Sequence, residues 1–191
     1  KILLYSVSTI LILVLGGYLY ITLTPPVSPL DTSSFVENEK EITITYSQPY
    51  KKGRLIFGEE SAGALVPYNQ YWRTGANRHT IIKTNSDLNF NDNILSAGEY
   101  SLYTTPGQDT WKVAINSDNG FFGIVQPDAV DDLFTFNVPV SSLDESVEQL
   151  TIDFVTDSIG SSIRLRWDLT PVSYTLLTLP TILRESSSLL Y

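Results

Sequence analysis

Short runs that alternate polar and apolar residues recur along this chain, and that period of two restricts its fold more than any other feature. Glu41 to Ser47 reads EITITYS, with Ile42, Ile44 and Tyr46 on one face, which is the pattern of a half-buried strand. Comparable runs cover His79 to Thr84, Tyr100 to Thr105, Thr110 to Asn116, Leu133 to Val140, Leu150 to Val155 and Ile163 to Trp167. Between them stand residues that tolerate tight or left-handed turns: Asn91-Asp92-Asn93, Pro106 to Asp109, and Asp118-Asn119-Gly120. Past residue 23 no segment carries a helical stripe over three turns. The expectation is a mostly β domain, an antiparallel β-sandwich or a jelly-roll-like fold. A length of 191 residues suits one domain with an appendage, and 42% hydrophobic content is enough to fill its core.

The appendage is N-terminal. From Ile2 to Leu23 no residue is charged; as a helix the run would span about 33 Å, against about 30 Å of hydrocarbon in a bilayer. It predicts a transmembrane helix or signal anchor over residues 1–23, with a cleaved signal peptide and a secreted product as the alternative. Lys1 precedes the run, and Asp31, Glu37 and Glu39 follow it before Lys40. Positive-inside reasoning then puts the N-terminus in the cytoplasm and the domain in the periplasm or on the cell surface. Residues 24–40, with three prolines and several small polar residues, read as a linker. The β domain is expected over 41–170. In 171–191, PVSYTLLTLPTILRESSSLLY, charge nearly vanishes and alternation is lost. That stretch is set apart as an atypical, non-native tail, with a genuine final strand as the alternative.

Composition closes off several chemistries. A net charge of −9 argues against a nucleic-acid surface, which needs clustered Lys and Arg. With no cysteine there is no thiol catalysis, thiolate metal site or disulfide, and the one histidine rules out a His-rich metal centre. No metal and no cofactor are expected.

Several motifs occur in a fixed order: Tyr46-Ser47-Gln48-Pro49, Lys52 to Gly58, Leu65-Val66-Pro67-Tyr68, Trp72-Arg73-Thr74-Gly75-Ala76-Asn77, Leu95 to Leu102, and Trp111-Lys112-Val113. The set resembles the bacterial family DUF2911 across roughly Glu41 to Trp167. The resemblance implies a β-rich, commonly exported domain without an established activity. Two positions depart from the family pattern. Gln48 stands where Arg is usual, and Arg78-His79 stand where an acidic residue often follows the Gly-Ala-Asn.

Trp72 to Asn77 is the best candidate ligand-binding segment. Trp72 offers an apolar plate for stacking on a sugar, and Arg73 a planar five-donor cation suited to a carboxylate. Thr74 and Asn77 add hydrogen-bonding groups, and Gly75 allows close backbone approach. Arg54, Tyr46 and Tyr68 are candidates to join the pocket, although Tyr46 is in phase with the core face of its strand. The architectural reading is that Trp72 fills the core, Arg73 pairs with a buried carboxylate, and Gly75 to Asn77 form a turn. Lys51, Lys52 and Arg54 form a basic cluster of the kind found on solvated loops. No nucleophile elbow accompanies His79, and Asp87 to Asn93 reads as a hairpin rather than a calcium loop.

The functional expectation is a membrane-anchored binding or interaction module for a glycan or envelope protein. A hydrolase using an acidic residue with Arg73 or His79 is the alternative, followed by a structural envelope protein.

Overall fold

The structure is a computed structural model, and it describes residues 2–24, 27–90, 93–120, 122–156, 158 and 160–178. Helix α1 covers Ile2–Leu23. After it come β1 (Leu30–Glu37), β2 (Lys40–Ser47), β3 (Phe57–Gly58), β4 (Val66–Pro67), β5 (Thr80–Thr84) and β6 (Leu88–Phe90). The chain continues through β7 (Asn93–Leu95), β8 (Gly98–Thr105), β9 (Thr110–Asn116), β10 (Asp132–Pro139), β11 (Val147–Thr156), β12 (Ser161–Asp168) and β13 (Thr170–Thr178). One sheet has the order β1-β2-β5-β8-β9-β10 and a second the order β11-β12-β13-β6-β7, both antiparallel throughout. The pair β3–β4 is parallel. The chain is mostly β, as its alternation requires.

That alternation fills the core. Ile42, Ile44 and Tyr46 of β2, Ile82 of β5, and Val113 and Ile115 of β9 share one buried cluster with side chains of the second sheet, among them Ile152, Ile163 and Leu165. Burial of each such side chain is worth about 1.5–3 kcal/mol. Tyr46 also links the sheets by hydrogen bonds. Its hydroxyl accepts the Ile152 N–H at 2.8 Å and lies 3.2 Å from the Ile152 carbonyl. On the outward face of the second sheet, Asp153 takes Arg164 and Arg166, both at 2.8 Å.

Three sequence-based boundaries change. The expected linker contains β1, which pairs along its whole length with β2 from Leu30↔Ser47 to Glu37↔Lys40. Its proline-flanked, Ser/Thr-rich sequence hid an alternation in which Ser33 and Phe35 face the second sheet. Ser33 donates to the Ile152 carbonyl at 2.5 Å, and Phe35 stacks on Phe154 at 5.6 Å. The expected break at Pro171 is crossed by β13, which pairs with both β12 and β6; residues 179–191 lie outside the described ones. The transmembrane helix is likewise unsupported: among the described residues no helix is long and apolar enough to cross a membrane.

Candidate functional site

Two turns converge on one cavity. The first is built by Lys52-Gly53, whose φ angles of 49° and 68° give a left-handed pair, closed by the Arg54 N–H donating to the Lys51 carbonyl at 3.1 Å. Gly53 makes this turn accessible at low cost. The turn folds Arg54 back over its own backbone. Its Nε donates to the Lys51 carbonyl at 3.0 Å, and Nη2 donates to the Tyr50 carbonyl.

The second turn is Trp72 to Asn77. Trp72 bridges antiparallel to Thr104 of β8 through paired backbone bonds of 2.8 and 2.9 Å. The backbone then reverses through Thr74 and Asn77, at φ 57° and 61°. Gly75 lies against β2, where an added Cβ would stand 3.0 Å from the Ser47 carbonyl; glycine is needed here for close approach. Thr80 Oγ1 donates to the Thr74 carbonyl at 2.8 Å and ties the turn to β5.

Lys52, Arg54, Trp72, Arg73 and Asn77 all line the resulting cavity of about 320 Å³, with Tyr50, Leu65, Val66 and Trp167 among its other walls. A volume of that size suits a small ligand. Thr74 does not line it. This residue is fully buried and hydrogen-bonded to Thr104 Oγ1 at 3.1 Å. Tyr46 is core and Tyr68 packs half-buried against it, so neither joins the wall. Tyr50 and Lys52 were not among the sequence candidates. Lys52 sat in a basic run typical of solvated loops, and only the turn at Gly53 brings it to the cavity.

The roles expected of Trp72 and Arg73 need correction. Trp72 is 7% exposed and sits in an aromatic cluster, stacked on Trp167 at 5.9 Å and edge-on to Trp111 and Phe57. Its indole N–H donates to the Gly75 carbonyl at 3.0 Å. Most of the plate is covered by core, and little of it is open to the cavity. Arg73 has no carboxylate partner among the described residues. Its Nη1 donates to the Asn77 carbonyl at 3.3 Å, and Gly123 packs on its stem, where a Cβ would come within 2.9 Å of Cδ.

His79 is elsewhere. It is 3% exposed and lines a separate cavity of about 410 Å³ with Arg78, Glu99 and Asn119. Among the described residues neither ring nitrogen makes a hydrogen bond of good geometry, the Val125 carbonyl being the nearby acceptor. Burial holds its pKa below the ordinary 6.5; the nearby Val125 carbonyl opposes this, Arg73 adds to it, and Asp118 opposes it. Its ring lies 6.4 Å from that of Tyr71, whose hydroxyl burial pushes up to about 12. Behind Tyr71, Tyr103 donates to the Asp132 carboxylate at 2.8 Å, and burial together with that charge raises its pKa. No carboxylate is hydrogen-bonded to Arg73 or His79 among the described residues. The same residues hold no group of three or more His, Asp or Glu arranged to bind a metal ion.

Neither a curated protein nor a solved structure matches the chain. A family model does match, over residues 28–176, so the matched region takes in β1 and most of β13 as well as the motif-bearing strands. The chain belongs to the family described as "Protein of unknown function (DUF2911)".

Proposed function

We propose that this domain is a binding module whose ligand, a glycan or a component of an envelope protein, enters the cavity between the Lys52-Gly53 and Trp72–Asn77 turns. The carrying observation is convergence. Residues distant in sequence, Arg54, Arg73 and Asn77, present polar groups to one concave site over an apolar floor, the usual arrangement of a ligand pocket. Two sheets sharing one core support reading the scaffold as a β-sandwich, with the site on loops at its margin.

The test is amide chemical-shift mapping of the isotope-labelled chain against neutral and acidic cell-wall oligosaccharides and peptide fragments. Saturable shifts should centre on Gly75 to Asn77 and Lys52 to Arg54. Shifts confined to other surfaces would remove this cavity as the site.

The domain is further proposed to lie outside the cytoplasm, tethered by α1. The support is the uncharged sequence of Ile2 to Leu23 together with its continuous helical backbone. Expressed in a bacterium, the chain should stay in the membrane pellet through alkaline extraction, and release into the supernatant as an uncleaved chain counts against the tether.

A further inference from the structure

We propose that the group recognised in this cavity is an oxyanion, a carboxylate or a phosphate ester; this rests on the reading of the cavity as a binding site. Among the described residues three cations line it, Lys52, Arg54 and Arg73, and no Asp or Glu does. That is the reverse of the chain as a whole, which carries 21 acidic against 12 basic residues.

How the guanidinium groups are held separates them from ordinary surface charge. Three basic side chains elsewhere in the molecule are ion-paired: Lys51 with Asp168 at 2.5 Å, and Arg164 and Arg166 with Asp153. Arg54 and Arg73 are instead fixed by backbone carbonyls, of Lys51 and Tyr50 in one case and Asn77 in the other. A carbonyl orients a guanidinium without cancelling its charge. Of five N–H donors each, Arg54 uses two and Arg73 one in these bonds, so donors remain for a bidentate grip on an oxyanion. Two acids stand beside Lys51 and Lys52 without lining the cavity. Asp168 is paired with Lys51, and Glu148 accepts the Lys52 backbone N–H at 2.8 Å.

A neutral sugar fits these groups less well. Its hydroxyls can accept from the arginines but carry no charge to meet theirs, no carboxylate among the described residues lines the cavity to take the hydroxyl protons, and Trp72 is stacked on Trp167. Leu65, Val66 and Pro49 add apolar lining, enough for the body of a small ligand whose charged end meets the arginines.

Three probes decide the matter on the labelled full chain: D-glucuronate, inorganic phosphate and neutral D-glucose. Glucuronate or phosphate should shift the amides of Lys52 to Arg54 and Gly75 to Asn77 saturably, and which of them does so identifies carboxylate or phosphate as the source. Glucose should leave those amides unmoved. Affinity should fall with added salt, a readout needing no variant. Arg54→Gln and Arg73→Gln should each weaken binding by about tenfold, the value of one charge-assisted bond, with melting curves showing that both variants fold. Glucose binding at these amides as tightly as glucuronate overturns the oxyanion proposal and leaves the binding site standing. Salt-independent binding, or unchanged affinity in both variants, overturns it as well. No response at these amides to any probe, up to tens of millimolar, overturns both.

Discussion

Trp72 and Arg73 are adjacent in the chain and opposite in role. Trp72 closes an aromatic cluster with Phe57, Trp111 and Trp167, and its N–H is satisfied by the Gly75 carbonyl. Arg73 is half-buried, with one carbonyl partner and no ion pair among the described residues. Trp72→Ala should therefore cost about 3–5 kcal/mol of stability, the usual loss for a large core aromatic. Arg73→Gln should cost about 1 kcal/mol or less, because it neither opens a cavity nor strands a buried charge. Denaturant melts of the two variants distinguish these roles; comparable losses would mean that Arg73 is structural. Arg54 follows the same logic, fixed by its turn rather than by a charge partner.

Among the elements, the hairpin β1–β2 shows how local sequence and pairing divide the work. Its turn residues Asn38 and Glu39 have φ angles of 48° and 67°, the two-residue turn whose left-handed conformation suits the twist of antiparallel strands. Asn tolerates that conformation; Glu does so only at a cost of about 1 kcal/mol. Glu39→Gly should thus raise the denaturant midpoint, by about 1 kcal/mol in stability, and an unchanged or lowered midpoint would show that the turn is not strained. The strand itself was illegible. Leu30 to Glu37 has only Leu30, Phe35 and Val36 as large apolar residues, and its inward face is completed by Ser33 and Asp31, whose partners Ile152, Tyr46 and Gln48 lie outside the strand. β13 was obscured for a related reason. Its register comes from β12 on one side and β6 on the other rather than from a pattern of its own.

For the whole molecule, titrating groups set the pH range of stability. His79 has a folded pKa below its ordinary 6.5. The unfolded chain therefore takes up that proton first, and stability is held above 6.5 and falls as pH drops below it. Asp153 acts in the same direction at lower pH. Burial raises its pKa, but hydrogen bonds and charge from Arg164 and Arg166 outweigh burial and hold it below 3.8, so this contribution is lost as pH falls through the folded value. Tyr71, raised from 10.0 to about 12 chiefly by burial, works from the other side: its contribution is complete below pH 10 and lost as pH rises towards 12. Stability should peak between these limits. In His79→Leu the decline just below pH 6.5 should flatten, since an apolar side chain there removes the proton uptake. The same slope in the variant, followed by thermal melts across pH, would show that His79 is not the group responsible.

The sequence alone determined the class of fold and the family. A period of two buries one face of a strand wherever it occurs, so β2, β5, β8, β9, β10, β11 and β12 were legible from their own residues. The ordered motifs carried the family for the same reason: they are local. Only the tertiary structure decided which of Trp72, Arg73, Thr74 and Asn77 face the cavity, because that depends on the bridge to Thr104, the approach of Gly75 to Ser47 and the stacking of Trp167. Charge behaves likewise. Lys51 and Lys52 are indistinguishable as a basic pair in the sequence, yet folding gives Lys51 to Asp168 and leaves Lys52 to the cavity. The charge of Lys51 is cancelled by a partner 117 residues away, and no local pattern encodes such a distance.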